Sequence, residues 1–245
     1  MFYPHILNIS KSDLVLEVGP GAYPYWRSDC LVDKFENSPA TDISQFGGAP
    51  QQTMGKPLFL INDAKIPFRD NSFDYLICAQ VLEHVPSQEL VLLVSEMNRV
   101  AKRVYIEIPR PVFDLVYDFD VHLNLMDIVA GTIVCLPKEK TNLNKVKLFT
   151  QYALKLRESQ GFSVERNSFN AVAVGVEFSG HVPLIICDTE EEFFERISKN
   201  IVKIPLPTLS WRVKERLASF AYKHAQKHHT KSELAKLMIS PQLNT

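Results

Sequence analysis

What this chain of 245 residues lacks narrows its function before any motif is read. Lys and Arg number 27 against 28 Asp and Glu, a formal net charge of −1. There is no basic excess to draw the protein to a polyanion, and no nucleic-acid partner is expected. No apolar run reaches the roughly 20 residues that a helix needs to cross a bilayer. The opening segment, MFYPHILNISKSD, lacks the basic n-region and apolar h-region of a secretory signal. The four cysteines, Cys30, Cys78, Cys135 and Cys187, are far apart and form no C-x-x-C pair, which argues against a zinc ribbon. Cys78 and Cys187 fall inside apolar, strand-like runs and are expected to be buried thiols in a reducing, cytoplasmic setting. The chain has no internal repeats and no low-complexity tracts.

Short apolar runs bounded by polar residues are present instead. Residues 14–18 (LVLEV), 30–33 (CLVD), 58–62 (LFLIN), 74–79 (DYLICA) and 104–108 (VYIEI) have the character of buried parallel strands. Between the last two, Leu90, Leu93, Val94, Met97 and Ala101 recur at helical spacing, with Ser87 as N-cap and Lys102 and Arg103 closing the helix. A strand, a helix and a strand in this rhythm give a right-handed crossover. The fold class that follows is a doubly wound α/β sheet. Residues 110–148 show few signals and are expected to cover the carboxyl edge of the sheet. Further on, the pattern predicts a helix over 152–160 and strands over 162–166, 172–178 and 182–187. A capping box at Thr189 and Glu192 opens a helix carrying Phe193, Phe194, Ile197 and Ile201, and a last helix runs from about 210 to 227. These signals divide the chain into a domain over 1–188 and a helical extension over 189–245.

Ligands of open α/β sheets bind at strand carboxyl ends, and four features gather there. Gly19 and Gly21 follow the first strand in LEVGPG, Asp33 ends the second, Asp63 follows the third and Gln80 the fourth. Glycine lets a ligand approach bare backbone. A carboxylate at Asp33 can accept both hydroxyls of a ribose, and an acceptor after the third strand can take the exocyclic amine of adenine.

With these motifs in this order, the chain resembles a class I S-adenosylmethionine-dependent methyltransferase of the small-molecule type. LEVGPG resembles the first family motif, VDKFE the second, and NDAKIPFRDNSFDYLICAQVLEHV (62–85) the third and fourth. The likeness is dense over about 13–111 and looser to 187. It implies a mostly parallel, seven-stranded Rossmann-like sheet in the order 3-2-1-4-5-7-6 with an antiparallel seventh strand. It also implies S-adenosylmethionine as cofactor, held by Glu17, Gly19, Pro20, Gly21, Asp33, Lys34, Asp63, Ala64 and Gln80. Glu17 would face the cofactor's ammonium, and Ala64 would offer its backbone N–H to adenine. The implied reaction is methyl transfer to a small-molecule or glycan/lipid-linked acceptor, with oxygen as the expected atom.

Tyr23 stands where the family usually has a third glycine, with Pro24 after it, and only 11 residues separate Gly19 from Leu31. The first helix is therefore one or two turns long or is replaced by a loop. That disfavours the runner-up, an NAD(P)-dependent oxidoreductase, which wants a helix N-terminus for its pyrophosphate. A second alternative is an inactive interaction module in which Tyr23 and Pro24 block the pocket. Methyl transfer asks mainly for in-line positioning. If the acceptor must shed a proton, His84 in VLEHV is the candidate general base, with Glu107 and His122 behind it. No metal ligands are assigned: His224 and His228 have helical i, i+4 spacing but no third partner. Around the last helix, Arg212, Lys214, Arg216, Lys223, Lys227 and Lys231 flank an apolar stripe of Leu209, Val213, Leu217 and Phe220. The stripe is expected to pack on its own domain, with weak peripheral membrane contact as the other use of such a helix.

Overall fold

The computed structural model describes residues 7–34, 52–117, 119–141, 173–198 and 228–239, together with 213, 216, 217 and 220. The elements expected over 152–160 and 162–166 lie outside the described residues. The main sheet contains β1 (Val15–Val18), β2 (Cys30–Asp33), β3 (Leu58–Leu60), β4 (Tyr75–Ala79), β5 (Arg103–Pro109) and, from later in the chain, β8 (Ala173–Ser179). Their order is β3-β2-β1-β4-β5-β8. The first five are parallel, and β8 runs antiparallel to β5, with Arg103 opposite Ser179 and Pro109 opposite Ala173. This is a mixed α/β sheet of the doubly wound, Rossmann-like kind. The β1–β4 register, Val15 to Tyr75 and Val18 to Cys78, brings the ends of these two strands level.

Alternation along the strands divides the core into two faces. Leu16, Val18, Leu76, Cys78, Val104 and Ile106 point to one face, where α1 (Ser87–Val100) packs through Leu90, Leu93, Val94 and Met97. Pro86 is the N-cap of α1, and no side chain caps it, so Ser87 is the first helical residue rather than the cap. Val15, Tyr75, Ile77 and Tyr105 point to the other face and meet Tyr25 and Trp26.

The chain passes from β1 to β2 without a helix, and buried polar side chains take the helix's place. The Glu17 carboxylate accepts from the Tyr25 N–H at 2.8 Å and from the Ser28 hydroxyl at 2.6 Å. Arg27, buried and paired with Asp29 at 3.0 Å, donates to the carbonyls of Ser10, Lys11 and Asp13. Lys56 donates to the carbonyls of Tyr25, Trp26 and Ser28. An irregular buried loop must satisfy its backbone groups in some such way.

Residues 110–141, expected to be a featureless cover, form α2 (Pro111–Tyr117) and the hairpin of β6 (Asn124–Val129) and β7 (Thr132–Pro137). The loop is Ala130-Gly131, with φ of 49° and 76°. Two-residue hairpins want positive φ at both positions, and alanine at the first hid the signal. The run expected as a strand over 182–187 is β9 (Leu184–Ile186). It pairs in parallel with β7 and so completes a second, three-stranded sheet. α3 (Glu190–Ser198) buries Phe193 against Leu125, Val134, Leu136 and Cys187. Thr189 caps it by accepting from the Glu192 N–H, while Glu192 reaches back to the N–H of Asp188. The stripe residues Val213, Leu217 and Phe220 are 52%, 65% and 63% exposed, so the expected burial of this stripe is not found at these positions. α4 (Lys231–Ala235), which the sequence reading missed, begins with a full capping box of Thr230 and Glu233. All four cysteines are free and buried. No helix among the described residues is long and apolar enough to cross a membrane.

Candidate active site

Gly19, Asp33, Lys34, Asp63 and Ala64 line one cleft of about 120 Å³ at the carboxyl ends of β1, β2 and β3, together with Val81, His84 and Glu89. These are the sequence-predicted residues that the fold brings together. Gly19 sits at φ +64°, and a Cβ there would lie 2.5 Å from Val81 Cγ2. Glycine is required because the β4–α1 turn closes on it. Asp33 is buried at the last position of β2. Asp63 turns the chain by accepting from the Lys65 N–H at 2.8 Å. Lys34 reaches Glu89 at 3.5 Å across the mouth.

Glu17, Pro20, Gly21 and Gln80 do not line the cleft. The hydrogen bonds of Glu17 to Tyr25 and Ser28 hold the β1–β2 loop, and burial raises its carboxyl pKa. Gln80, at φ +58°, donates its backbone N–H to the Glu107 carbonyl at 2.8 Å and turns its amide to the Glu107 carboxylate at 3.5 Å. Tyr23 is 74% exposed and faces solvent, so it does not plug the cleft.

Beyond the cleft lies a cluster that sequence spacing could not reveal. The turn after β4 is one turn of 3₁₀ helix, Leu82–His84. The strand entering β6 is tied to it: the Leu123 N–H donates to the Glu83 carbonyl at 2.7 Å, and the Asn124 amide donates to the carbonyls of Leu82 and Val85. This brings His122 to His84 across 38 residues, with ring centroids 4.7 Å apart and planes nearly perpendicular. His84 Nδ1 lies 2.9 Å from the Val121 carbonyl, so Nδ1 carries the proton and Nε2 the lone pair. His122 Nδ1 lies 2.6 Å from Asp114 Oδ1, which orients that ring in the same way. Lys138 balances Asp114 at 3.3 Å. Burial, and then the neighbouring His122, push the His84 pKa down to about 4. His84 is neutral at pH 7 and a weak proton acceptor there. His122 and Lys138, with Phe119 and Asn124, line a second cavity of about 300 Å³, and Pro86 lines both spaces. The arrangement is two chambers with two imidazoles at their junction.

Residues 17–104 match the family model described as a methyltransferase domain. The likeness to that family covers 88 of the 245 residues. The matched span runs from Glu17 to the start of β5 and takes in Gly19, Asp33, Asp63, Ala64 and His84. Solved structures similar to the chain include a chain of the Haloferax volcanii complex between the Trm112 methyltransferase activator and a methyltransferase. It is 18% identical over 42% of this chain and 47% of that one, with a TM-score of 0.31. A protein from Pyrococcus horikoshii is 17% identical over 59% and 74%, with a TM-score of 0.36. A SAM-dependent methyltransferase from Methanosarcina mazei is 21% identical over 52% and 72%, with a TM-score of 0.35. The chain thus spans about half the length of the Haloferax chain. No curated protein matches it.

Proposed function

We propose that this protein is an S-adenosylmethionine-dependent methyltransferase acting on an oxygen of a small-molecule or glycan/lipid-linked acceptor. One observation carries the reading: the cleft lined by Gly19, Asp33, Asp63 and Ala64 meets, at His84 and His122, a second chamber with a polar wall. Adenosine fits the first chamber by donor and acceptor count. The Asp33 carboxylate takes the ribose hydroxyls, the 63–64 turn takes the adenine edge, and Gly19 lets the sugar and tail lie on bare backbone. The sulfonium, itself a strong electrophile, then points toward the junction.

The acceptor enters from the second chamber. Its hydroxyl comes to the junction between His84 and His122, whose Nδ1 atoms are fixed by Val121 and Asp114. Holding oxygen and methyl in line supplies most of the rate: the oxygen–methyl bond forms as the sulfur–methyl bond breaks, and the hydroxyl proton leaves to solvent. With a pKa of about 4, His84 serves by lending Nε2 to this junction rather than as a base acting alone.

Calorimetry tests the reading. S-adenosylmethionine is expected to bind the intact protein with one site. Asp33→Ala is expected to weaken that binding by ~10–100-fold, the loss of a buried carboxylate that accepts two hydroxyls. Binding that is absent from the intact protein, or unaltered in Asp33→Ala, refutes the assignment.

A further inference from the structure

Glu83 poses a problem that the methyltransferase reading does not use. Its side chain is fully buried, and neither carboxylate oxygen has a hydrogen-bond partner. A bare carboxylate in a protein interior is costly unless a charge or a donor meets it. One imidazole nitrogen lies beside it: Glu83 Oε1 is 3.8 Å from His84 Nε2. One ligand atom from each of Glu83, His84 and His122 falls within 4.8 Å of the others. Each imidazole has its Nδ1 held by an acceptor, which leaves Nε2 as the atom that can ligate. A carboxylate behind a histidine, as Asp114 stands behind His122, is how metal-binding imidazoles are oriented and made more basic.

We propose that Glu83, His84 and His122 bind a divalent transition-metal cation of the zinc class at the junction of the two chambers. Two imidazoles and a carboxylate are a donor set for such ions, with open positions left for substrate. Ligand atoms around a tetrahedral ion sit about 3.3 Å apart, so small side-chain rotations close the set. Asp114 already has Lys138 at 3.3 Å, whereas the buried Glu83 oxygens have no hydrogen-bond partner, which a cation would supply. Of the three residues, His122 also lines the larger chamber with Lys138, from which an acceptor oxygen would complete the sphere. A cation there polarises that oxygen and lowers the pKa of its hydroxyl, with the proton leaving to solvent. This last consequence rests on the function proposed above; the cation site itself does not.

The test uses full-length, tag-free protein stripped with chelator and titrated with Co²⁺, read by its visible d–d bands and by elemental analysis after dialysis. One equivalent is expected to bind. Glu83→Gln and His122→Asn are expected to lose ~100-fold or more in affinity, and Asp114→Asn ~10–100-fold by loosening the His122 ring. The double variant His228→Ala/His229→Ala, altered at histidines outside the cluster, is expected to bind as the intact protein does. Circular dichroism and S-adenosylmethionine calorimetry on each variant separate loss of the ion from loss of the fold or of the cofactor site. Should a variant fail to fold, the intact protein still decides: bound Co²⁺ must shift the resonances of two imidazoles, one of them absent in His84→Asn. No Co²⁺ or Zn²⁺ bound by the intact protein, or one equivalent bound equally well by Glu83→Gln and His122→Asn, overturns the proposal. Either result leaves the cofactor assignment standing.

Discussion

Gly19 shows at the scale of one residue why the first motif tolerates no side chain. Its φ of +64° disfavours any L-residue, and the absent Cβ would sit 2.5 Å from Val81. Two separate penalties follow: about 1–2 kcal/mol for the left-handed backbone and about 1–3 kcal/mol for overpacking against the turn after β4. Gly19→Ala is therefore expected to lose about 2–5 kcal/mol in urea denaturation and to weaken S-adenosylmethionine binding. Adding Val81→Ala should restore the packing part and leave the backbone part, a coupling that a double-mutant cycle measures. Equal stability of Gly19→Ala and the intact protein would contradict the turn geometry. Much at this scale was legible in the sequence. Glycines after a strand, acids at the ends of the next two, and too few residues for a helix were all visible as spacing. The use of Glu17 was not. Its position on β1 reads as cofactor-facing, and only the fold reveals that with the helix missing its carboxylate holds the loop. His122 was placed only in the cover region, because its link to His84 runs through hydrogen bonds between segments 38 residues apart.

Elements are held to one another here by a few polar clamps, and α1 carries the clearest. Glu96 Oε2 accepts from the Ile66 N–H at 2.9 Å and from Arg99, and Arg99 in turn donates to the carbonyls of Ile66 and Phe68 and to Asp70. The clamp fastens the segment after Asp63 and Ala64 to the helix, so it bears on the wall of the cleft that these two residues line. Arg99 bonding holds the Glu96 pKa below its usual 4.5. A carboxyl whose folded pKa is depressed stabilises the fold above its unfolded pKa and loses that contribution as pH falls through the folded value. Glu96→Gln is expected to cost about 1.5–3 kcal/mol at neutral pH, as for hydrogen bonds to a charged group. The gap from the intact protein should narrow as pH drops below about 4.5. A gap independent of pH would show that the charge of Glu96 contributes nothing. The same scale explains what sequence reading missed in the cover. The β6–β7 hairpin lacks the Asn-Gly or Asp-Gly signature because Ala130 occupies a left-handed position. β9 had a strand pattern, but nothing local told which sheet it would join.

For the whole molecule, the boundary expected at residue 188 does not mark where contacts stop. The segment after residue 228 returns to the core of the first domain: Leu234 is buried in it, Met238 bridges to Phe68, and Lys231 sits over the Phe59 ring. Backbone bonds from Arg69 to Leu237 and from Ile239 to Pro67 fix the segment along residues 67–69. This stretch continues directly from Asp63 and Ala64, so residues 228–239 brace the cleft that these two line from behind. Removing residues 228–245 strips a fully buried leucine and two partly buried side chains. At about 1.5–3 kcal/mol per buried side chain, with the partly buried pair counted at less, the expected loss is about 3–6 kcal/mol. The affinity for S-adenosylmethionine should fall with it, because the wall around Ala64 loses its support. Thermal melts with and without cofactor check both effects, and an unchanged melting temperature would show that this segment braces nothing. The outcome also decides how the basic helix must be probed. A truncation that weakens the fold cannot report on membrane contact, whereas a charge placed at exposed Leu217 leaves the core intact. Leu217→Glu, with its melting temperature unchanged, is therefore the variant in which a loss of sedimentation with anionic vesicles can be assigned to that surface.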